Sequence, residues 1–278
     1  MSQERVDVVV VGAGIAGLAA AYELTRQGLG VRVLEATSRA GGVIFTERTD
    51  GWVIDGGPDA LLVQKPAAVS LCRELGLADQ LVPTLMPRTA YVLRDGRLHA
   101  LVEGSFLGFP LKASAFAKAS LFSWRGKIRM ALEALIPRGG TDEDESIGAF
   151  VRRRFGDEAA DYLADPLLAG IHAGDADRLS VHALFPRLVE AERQSGSVLR
   201  SFRAMHVRPS VQGAFVSLPG GTGALVDAVL AALPTGTVHV NARVSEIHRA
   251  GGFVLETEAG RVHASAVVLA VPAYIAGG

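Results

Sequence analysis

One stretch near the N-terminus limits the possible folds more than any other, and it reads VDVVVVGAGIAGLAAAYEL. Its first part, residues 6–11, is an unbroken run dominated by valine, which is typical of a strand buried on both faces of a parallel sheet. Alanine- and leucine-rich sequence follows the glycines and predicts a helix from about Ile15. Strand, glycine turn and helix together form the first half of a dinucleotide-binding βαβ unit.

The glycine spacing carries specific expectations. Gly12 permits the tight turn, Gly14 lets the backbone approach a pyrophosphate, and Gly17 lets the helix pack closely on the strand. A second predicted strand, VRVLE, ends at Glu35, eighteen residues after Gly17, where a carboxylate can bind a ribose diol. These features favour a dinucleotide site over glycines that serve only a tight crossover, and they leave the identity of the dinucleotide undecided.

The segment that begins at Glu35 is EATSRAGG. It places Arg39 where it can neutralise phosphate, and its two glycines, Gly41 and Gly42, where bare backbone can lie against a cofactor. A βαβ unit that continues into such an ExxxRxGG segment resembles the start of the flavin-containing amine oxidase superfamily, and the resemblance implies FAD, rather than NAD, as the cofactor. The later segment WVIDGGPDALLV adds a Gly-Gly-Pro turn after an extended run, where backbone can face a ring system.

Composition excludes several other classes of protein. A chain of 278 residues that is 49% apolar can bury a large core in one or two domains. Its formal charge of -1 gives no global reason to expect nucleic acid as a partner. Cys72 is the single cysteine, and the seven histidines form no HxH or HxxxH cluster, so we predict neither a disulfide nor a metal site. One cysteine and no evident signal peptide predict a cytoplasmic location.

The pattern changes along the chain in a way that predicts an interrupted domain. TAYVLRDGRLHAL is a predicted hairpin, the sequence from about Phe106 to Val207 is mostly helical, and short alternating strands return after residue 210. We therefore predict an α/β fold, in which a Rossmann-like FAD-binding domain carries an inserted, mostly helical domain that faces the substrate or a membrane. The predicted parts are 1–86 and 209–278 for the FAD-binding domain and 87–208 for the insertion.

Two helical stretches of the insertion carry charge. Ser146 is predicted to cap a helix that contains the run Arg152 to Arg154, which we interpret as a solvated face. The stretch ASLFSWRGKIRMALEALIPR is predicted to form an amphipathic helix, and we expect its apolar side chains to be buried in the protein's own core. Contact of this helix with a membrane surface is the alternative.

The segment GIHAGDADRLSVHALFPRLVEAERQSGSVLRSF resembles the oxygen-dependent protoporphyrinogen oxidase family within this superfamily. The motifs GAGIAG, EATSRAGG, GPDA, LPGGTGALV and VVLAVP follow the family's order over nearly the whole chain. The resemblance implies FAD-dependent oxidation of protoporphyrinogen IX to protoporphyrin IX in haem biosynthesis, with molecular oxygen as acceptor. The flavin carries that chemistry, so we assign no catalytic side chain. The resemblance also implies a packing or pocket-lining role for His172, and Gly174 indicates that Asp175 belongs to a turn. Both interpretations disfavour a catalytic pair.

The same resemblance implies a set of site residues. Arg88, in MPRTAYVLRDG, matches the family's propionate-contacting arginine, and Gly170 falls where backbone lies close to the substrate. No metal ligand is implied. The implied cofactor-binding residues are Gly12, Gly14, Ile15, Ala16, Gly17, Glu35, Ala36, Arg39, Gly42, Val43, Gly57, Pro58, Asp59, Ala60 and Val244.

Three alternative functions stay open at this point. The first is the related branch that oxidises coproporphyrinogen III to coproporphyrin III, and the second is a flavin oxidase of amines or carotenoids, which the segment from Gly170 to Ser180 disfavours. The third is a catalytically incomplete FAD-binding fragment, because members of the family run longer after the VVLAVP strand. A sheet edge exposed in such a chain favours association. Besides porphyrinogen and oxygen, the predicted partners are therefore a second copy of the chain and a peripheral membrane contact.

Overall fold

The structure is a computed structural model of the 278-residue chain. It describes residues 5–85, 89–101, 105–106, 109–110, 113–139, 144–167, 174–204, 213 and 215–277. The strands are β1 Arg5–Val11, β2 Val31–Leu34, β3 Thr46–Thr49, β4 Trp52–Asp55, β5 Leu61–Leu62, β6 Val82–Pro83, β7 Tyr91–Arg94, β8 Arg97–Ala100, β9 Ser105–Phe106, β10 Phe109–Pro110, β11 Phe215–Ser217, β12 Val238–His239, β13 Val244–Arg249, β14 Phe253–Thr257 and β15 Gly260–Leu269.

The helices are α1 Ile15–Arg26, α2 Pro66–Glu74, α3 Ala113–Lys118, α4 Trp124–Ala131, α5 Ile147–Phe155, α6 Asp157–Ala159, α7 Val181–Leu184, α8 Pro186–Ser195, α9 Val198–Ala204, α10 Gly223–Ala232 and α11 Ala273–Ala276. A turn of π-helix, Ala160–Ala164, continues α6, and a 3₁₀ turn, Leu132–Leu135, continues α4. Ser146 caps α5 as predicted, because its hydroxyl accepts a hydrogen bond from the N–H of Ala149.

The main sheet has the strand order β12-β2-β1-β15-β14-β13. Neighbouring strands from β12 to β15 are parallel, whereas β14 is antiparallel to both of its neighbours. Val10 in β1 lies opposite Val33 on one side and Val268 on the other. The predicted strand–turn–helix–strand order at the N-terminus is therefore confirmed, and the first strand lies inside the sheet.

The position of β1 explains its unbroken apolar sequence. Val10 belongs to a buried cluster with Leu18 of α1 and Val229 of α10 on one face of the sheet. Val9 belongs to a second buried cluster with Leu255 on the opposite face. Because successive side chains of a strand point to opposite faces, a strand covered on both faces needs apolar residues at every position.

One strand differs from its prediction. The apolar run from Ala266 to Val271 predicts a short final strand, but β15 begins at Gly260 and ends at Leu269. Its first half pairs with β14 from Phe253 onward, and its second half pairs with β1. The strand is longer than its apolar run because the polar first half has a hairpin partner that hydropathy alone does not reveal.

The described residues form two compact units. One unit combines Met1–Thr84 with Ser210–Gly278 and contains the main sheet. The other unit, Leu85–Pro209, contains the β7–β8 hairpin and helices α3 to α9. Parallel strands and helices in one chain confirm the predicted α/β class. The functions assigned to the two parts, FAD binding and substrate binding, stay predictions.

The arginine run of α5 is only partly on the surface. Arg152 is partly exposed and pairs with Asp177, whereas Arg154 is fully buried. Arg153 is half-buried between two carboxylates. The predicted solvated face is therefore right for Arg152 and wrong for Arg154, since successive residues of a helix point in different directions around its axis.

Candidate cofactor site

The glycine loop after β1 combines tight packing with open backbone. Gly12 has a φ of +100°, and a Cβ atom at this position would lie 2.7 Å from the carbonyl oxygen of Ala270. A Cβ atom on Gly17 would lie 2.0 Å from the carbonyl oxygen of Gly12, so α1 packs directly on the turn. A Cβ atom on Gly14 would meet no atom within 4 Å. The backbone at the start of α1, which continues with Ile15 and Ala16, is therefore accessible to a ligand.

Glu35 follows β2 and holds the loop from the other side. One carboxylate oxygen accepts a hydrogen bond from the N–H of Ala13 at 2.8 Å. The other accepts from the N–H and the hydroxyl of Thr37, both at 2.8 Å. Burial raises the pKa of Glu35, but the hydrogen bonds from Ala13, Thr37 and Ala36 outweigh burial and set the pKa below its ordinary value. The carboxylate is therefore ionised at neutral pH and stays available as an acceptor.

Changing Glu35 to glutamine is expected to weaken FAD binding by about 10-fold, because one acceptor oxygen becomes an NH₂ group that faces an N–H donor. The lowered pKa also fixes a pH dependence. The stabilisation by Glu35 is fully present above its ordinary pKa of 4.5 and is lost as the pH falls through the lower pKa of the folded protein. Thermal unfolding of the original protein and of Glu35→Gln is measured from neutral to acidic pH. The unfolding temperatures of the two proteins should differ less in acid than at neutral pH.

The matched control for this prediction is Glu74→Gln, which removes the charge of an exposed carboxylate that pairs with Arg26. This control should bind FAD like the original protein. Equal FAD affinity of Glu35→Gln and Glu74→Gln would contradict the role of Glu35.

Arg39 organises the turn that follows Glu35. Its guanidinium donates hydrogen bonds to the carbonyl oxygens of Ala40, Gly42 and Ile44 at 3.2, 2.6 and 3.0 Å. It also lies over the ring of Phe45, 5.2 Å from the centroid. The turn that it shapes contacts the glycine loop, because a Cβ on Gly42 would lie 3.0 Å from the Cα of Gly14. A phosphate contact of Arg39 stays a prediction.

Asp55 links two segments that are far apart in the sequence. Its carboxylate accepts a hydrogen bond from the N–H of Thr222, which precedes α10, at 3.0 Å. It also accepts a hydrogen bond from the hydroxyl of Thr46. The hydroxyl of Thr222 has a single hydrogen, which it donates to the carbonyl of Pro58 at 2.7 Å. Asp55 thus fixes the turn of residues 56–60, a role that no pattern in the neighbouring sequence indicates.

The same turn carries four of the predicted site residues. A Cβ on Gly57 would lie 1.9 Å from the carbonyl oxygen of Val43, so these two backbones are in contact. Val43 itself is exposed. The carbonyl of Asp59 accepts a hydrogen bond from Ser217 at 2.7 Å. Gly57, Pro58, Asp59 and Ala60 therefore lie in a stretch tied to β11 and to the turn before α10.

A cleft of about 640 Å³ lies at the carboxyl ends of parallel strands, in the unit that contains the main sheet. Its lining includes Val11, Leu34 and Leu269, which are the last residues of β1, β2 and β15. Ligands of open α/β sheets bind at this edge, and the volume is in the ordinary range for a cofactor site. Of the predicted site residues, the cleft brings together Gly12, Glu35, Ala36 and Val244.

Backbone hydrogen bonds hold Val244 at the cleft. The N–H of Asn241 donates to the carbonyl of Thr37, and the N–H of Ala242 donates to the carbonyl of Glu35, both at 2.8 Å. The chain thus passes across the end of β2 before β13 begins at Val244. Open backbone at Gly14, the ionised Glu35 and this cleft fit the adenosine diphosphate half of FAD.

Comparison with known proteins agrees with this geometry. The family model for flavin containing amine oxidoreductases matches residues 15–277. The chain belongs to this family. It is 34% identical to coproporphyrinogen III oxidase of Bacillus subtilis over its whole length, which is 62% of that protein. It is 32% identical to mitochondrial protoporphyrinogen oxidase of Nicotiana tabacum, covering 86% of this chain and 50% of that protein.

A solved structure has the same fold. The crystal structure of an Exiguobacterium sp. 255-15 protein, provisionally named protoporphyrinogen oxidase, aligns with a TM-score of 0.80 and 33% identity. The alignment covers 98% of this chain and 60% of the other. Membership of the flavin-containing family confirms the predicted superfamily and its FAD cofactor. The chain spans about three-fifths of the length of the B. subtilis relative.

Several predictions for the substrate side lie outside the described residues. Arg88, Gly170 and His172 belong to this group. The turn role of Asp175 is confirmed, because its carboxylate accepts a hydrogen bond from the N–H of Asp177 at 2.8 Å. Within the described residues, every helix is too short or too polar to cross a membrane.

Proposed function

We propose that this flavoprotein oxidises a porphyrinogen, with molecular oxygen as the electron acceptor. The observation that supports the proposal is a cleft suited to FAD, in a chain that is 32–34% identical to proteins named for protoporphyrinogen and coproporphyrinogen oxidation. Protoporphyrinogen IX, oxidised to protoporphyrin IX in haem biosynthesis, is the first candidate substrate. Coproporphyrinogen III is the second, because the Bacillus subtilis relative carries that name.

In this proposal the side chains bind and orient rather than transfer protons. Bound FAD would supply two-electron oxidation of the substrate, with oxygen as the final acceptor and hydrogen peroxide as the product. Gly14 and the first turn of α1 would receive the pyrophosphate, and Glu35 would accept hydrogen bonds from the ribose. The backbone of Val244 would receive the adenine end. In the same proposal, Arg88 would pair with a substrate propionate, and Gly170 would serve the macrocycle through its backbone.

The proposal is tested with the purified chain loaded with FAD. Protoporphyrinogen IX or coproporphyrinogen III is added in air, while porphyrin fluorescence and hydrogen peroxide are followed together. We expect both products to form in step, faster than in buffer with free FAD alone, and the ratio of the two rates identifies the preferred substrate. The Glu35→Gln variant at limiting FAD should lose rate in proportion to its lost flavin.

Two results would oppose the proposal. Bound flavin without oxidation of either porphyrinogen would assign the chain to FAD binding alone. Oxidation of an amine in preference to both porphyrinogens would assign it to another branch of the family.

A second copy of the chain and a membrane surface are the other partners that we propose. Sedimentation velocity tests the homodimer, which should appear as a species of twice the mass of the 29.1 kDa chain. We also propose a cytoplasmic location with peripheral membrane contact.

A further inference from the structure

Side chains of the β3–β4 hairpin cap helix α10, which lies far away in the sequence. The N–H of Thr222 donates to one carboxylate oxygen of Asp55 at 3.0 Å. The N–H of Gly223 donates to the hydroxyl of Thr46 at 2.8 Å, and this hydroxyl donates to the same Asp55 oxygen. A carboxylate is favoured there because the N-terminus of a helix carries partial positive charge. We call Thr46, Asp55 and Thr222 the polar clamp.

The start of α10 lies directly against two members of the polar clamp. A Cβ atom on Gly221, which has a φ of +79°, would lie 2.3 Å from a methyl carbon of Thr46 and 2.8 Å from a carboxylate oxygen of Asp55. A Cβ atom on Gly223 would lie 2.7 Å from the hydroxyl oxygen of Thr46. The hairpin and the start of α10 therefore leave no room for a side chain between them.

Helix α10 is anchored in the same core as the helix that follows the glycine loop. Leu225 and Val229 of α10 are buried in one cluster with Leu18 of α1. Helix α1 begins directly after Gly14, where the backbone is open to a pyrophosphate. The capping of α10 by Asp55 therefore fixes the β3–β4 hairpin relative to the glycine loop.

The polar clamp also holds the turn of residues 56–60. The hydroxyl of Thr222 donates to the carbonyl oxygen of Pro58 at 2.7 Å. Ser217 of β11 donates to the carbonyl oxygen of Asp59 at 2.7 Å, one residue further along the turn. The turn is thus fixed through its carbonyl groups, and Thr222 connects it to Asp55.

Backbone contacts connect the glycine loop to this turn. A Cβ atom on Gly42 would lie 3.0 Å from the Cα of Gly14, and a Cβ atom on Gly57 would lie 1.9 Å from the carbonyl oxygen of Val43. In the part of the chain that the structure describes, none of the residues 56–60 lines the cleft that fits the adenosine diphosphate half of FAD. FAD carries its riboflavin half on the other side of the pyrophosphate, so the backbone from Gly42 to the turn would continue toward that half.

We propose that Asp55 is a positioning residue for the riboflavin half of FAD. Its carboxylate acts without touching the cofactor, because it sets the place of the turn along which the riboflavin half of a bound FAD would lie. Glu35 serves the adenosine diphosphate half, so the two carboxylates act on different halves of one cofactor. The inference deepens the proposed function and rests on its FAD site, but its test needs no porphyrinogen.

The test compares FAD with ADP, which contains only the adenosine diphosphate half, as ligands of the full chain after its flavin has been removed. Isothermal titration calorimetry measures both affinities. We expect Asp55→Ala to weaken FAD binding at least ~10-fold and to change ADP binding less than ~2-fold. The absorption spectrum of flavin bound to this variant should resemble free FAD more closely, because the displaced turn exposes the ring to water. Glu35→Gln should weaken the binding of both ligands.

A conservative variant and a control accompany Asp55→Ala. The N–H of Thr222 and the hydroxyl of Thr46 donate to one oxygen of Asp55, and the amide oxygen of asparagine can accept both hydrogen bonds. We therefore expect Asp55→Asn to bind FAD within ~3-fold of the original protein. The control is Asp227→Ala, which removes a carboxylate that is 69% exposed on α10. This control should bind FAD and ADP like the original protein.

A second variant tests the link to the turn and keeps the test decisive where Asp55→Ala does not fold. Thr222→Val removes the hydroxyl that donates to Pro58 and keeps the N–H that donates to Asp55. Valine has nearly the same shape as threonine, so α10 should stay in place. We expect this variant to weaken FAD binding by at least ~3-fold and to leave ADP binding unchanged.

Two results would overturn the proposal. Equal weakening of FAD and ADP binding by Asp55→Ala and Thr222→Val would mean that the polar clamp supports the fold as a whole. Unchanged FAD affinity in both variants would mean that the turn does not position the cofactor. A chain that separates FAD from ADP as expected, but oxidises neither porphyrinogen, would support this inference and oppose the proposed function.

Discussion

Replacing Gly17 by alanine is expected to abolish flavin retention and to lower the free energy of unfolding by about 3 kcal/mol. The added methyl group would lie 2.0 Å from the carbonyl oxygen of Gly12, and this backbone atom cannot yield like the end of a flexible side chain. Helix α1 would have to move away from the turn, and the backbone that receives the pyrophosphate would move with it. Absorbance of the purified protein before and after desalting measures flavin retention.

The matched control is Gly14→Ala, three residues earlier in the same loop. Gly14 has a φ of -67°, which alanine adopts freely, and its Cβ would meet no protein atom within 4 Å. We therefore expect Gly14→Ala to keep the stability of the flavin-free protein within about 1 kcal/mol while it weakens FAD binding, because the methyl group stands where the cofactor approaches. If Gly17→Ala retained flavin as well as the original protein, the close packing of α1 on the turn would not be required for the site.

The features that the sequence predicts correctly are those set by local chemistry. The valine run, the glycine spacing and the alanine-rich helix agree within one stretch of about twenty residues, so β1 and α1 follow from neighbours in the chain. The same holds for the turn at Asp95 and Gly96, where both residues have positive φ as a two-residue hairpin turn requires.

The features that the sequence could not predict depend on distant partners. Asp55 and Thr222 are separated by 167 positions, and nothing near either residue indicates that they share a hydrogen bond. Ala13 and Thr37, which hold Glu35, donate partly through backbone N–H groups that any residue type would offer. Such contacts become visible only when the fold has brought the segments together.

The apolar side chains of α4 were predicted to face the core, and this prediction is wrong for Trp124 and Ile128, which are 69% and 59% exposed. Their outer position also depends on a distant partner. Hydropathy places both residues inside, because the pattern of α4 taken alone has an apolar side. The burial of Glu133 with Arg154 turns that side outward, and the pairing involves residues 21 positions apart. Pattern analysis counts Glu133 as a polar position and assigns it to the surface. The burial of this charged pair therefore overrides the apolar pattern of the helix.

Removal of the Arg154 side chain as Arg154→Met is expected to lower the free energy of unfolding of the Leu85–Pro209 unit by about 3 to 5 kcal/mol. The guanidinium is fully buried and donates to the carboxylate of Glu133 and to the carbonyl oxygens of Ile136 and Gly196. Methionine would leave Glu133 as a buried charge whose remaining donors are Ser197 and the N–H of Val198. A buried carboxylate without a cationic partner has a desolvation penalty larger than the stabilisation that the ion pair contributes. The loss in the free energy of unfolding should therefore be large.

Urea unfolding in a Trp52→Phe background measures this effect, because Trp124 then reports on the Leu85–Pro209 unit alone. Arg152→Met is the matched control, because Arg152 lies two residues away and its ion pair with Asp177 is solvent-accessible. This variant should lose only a small fraction of the stability that Arg154→Met loses. Combining Arg154→Met with Glu133→Gln should recover part of the stability, because glutamine still accepts a hydrogen bond from Ser197 without a buried charge. Equal unfolding midpoints for Arg154→Met and Arg152→Met would mean that the buried pair does not hold this unit together.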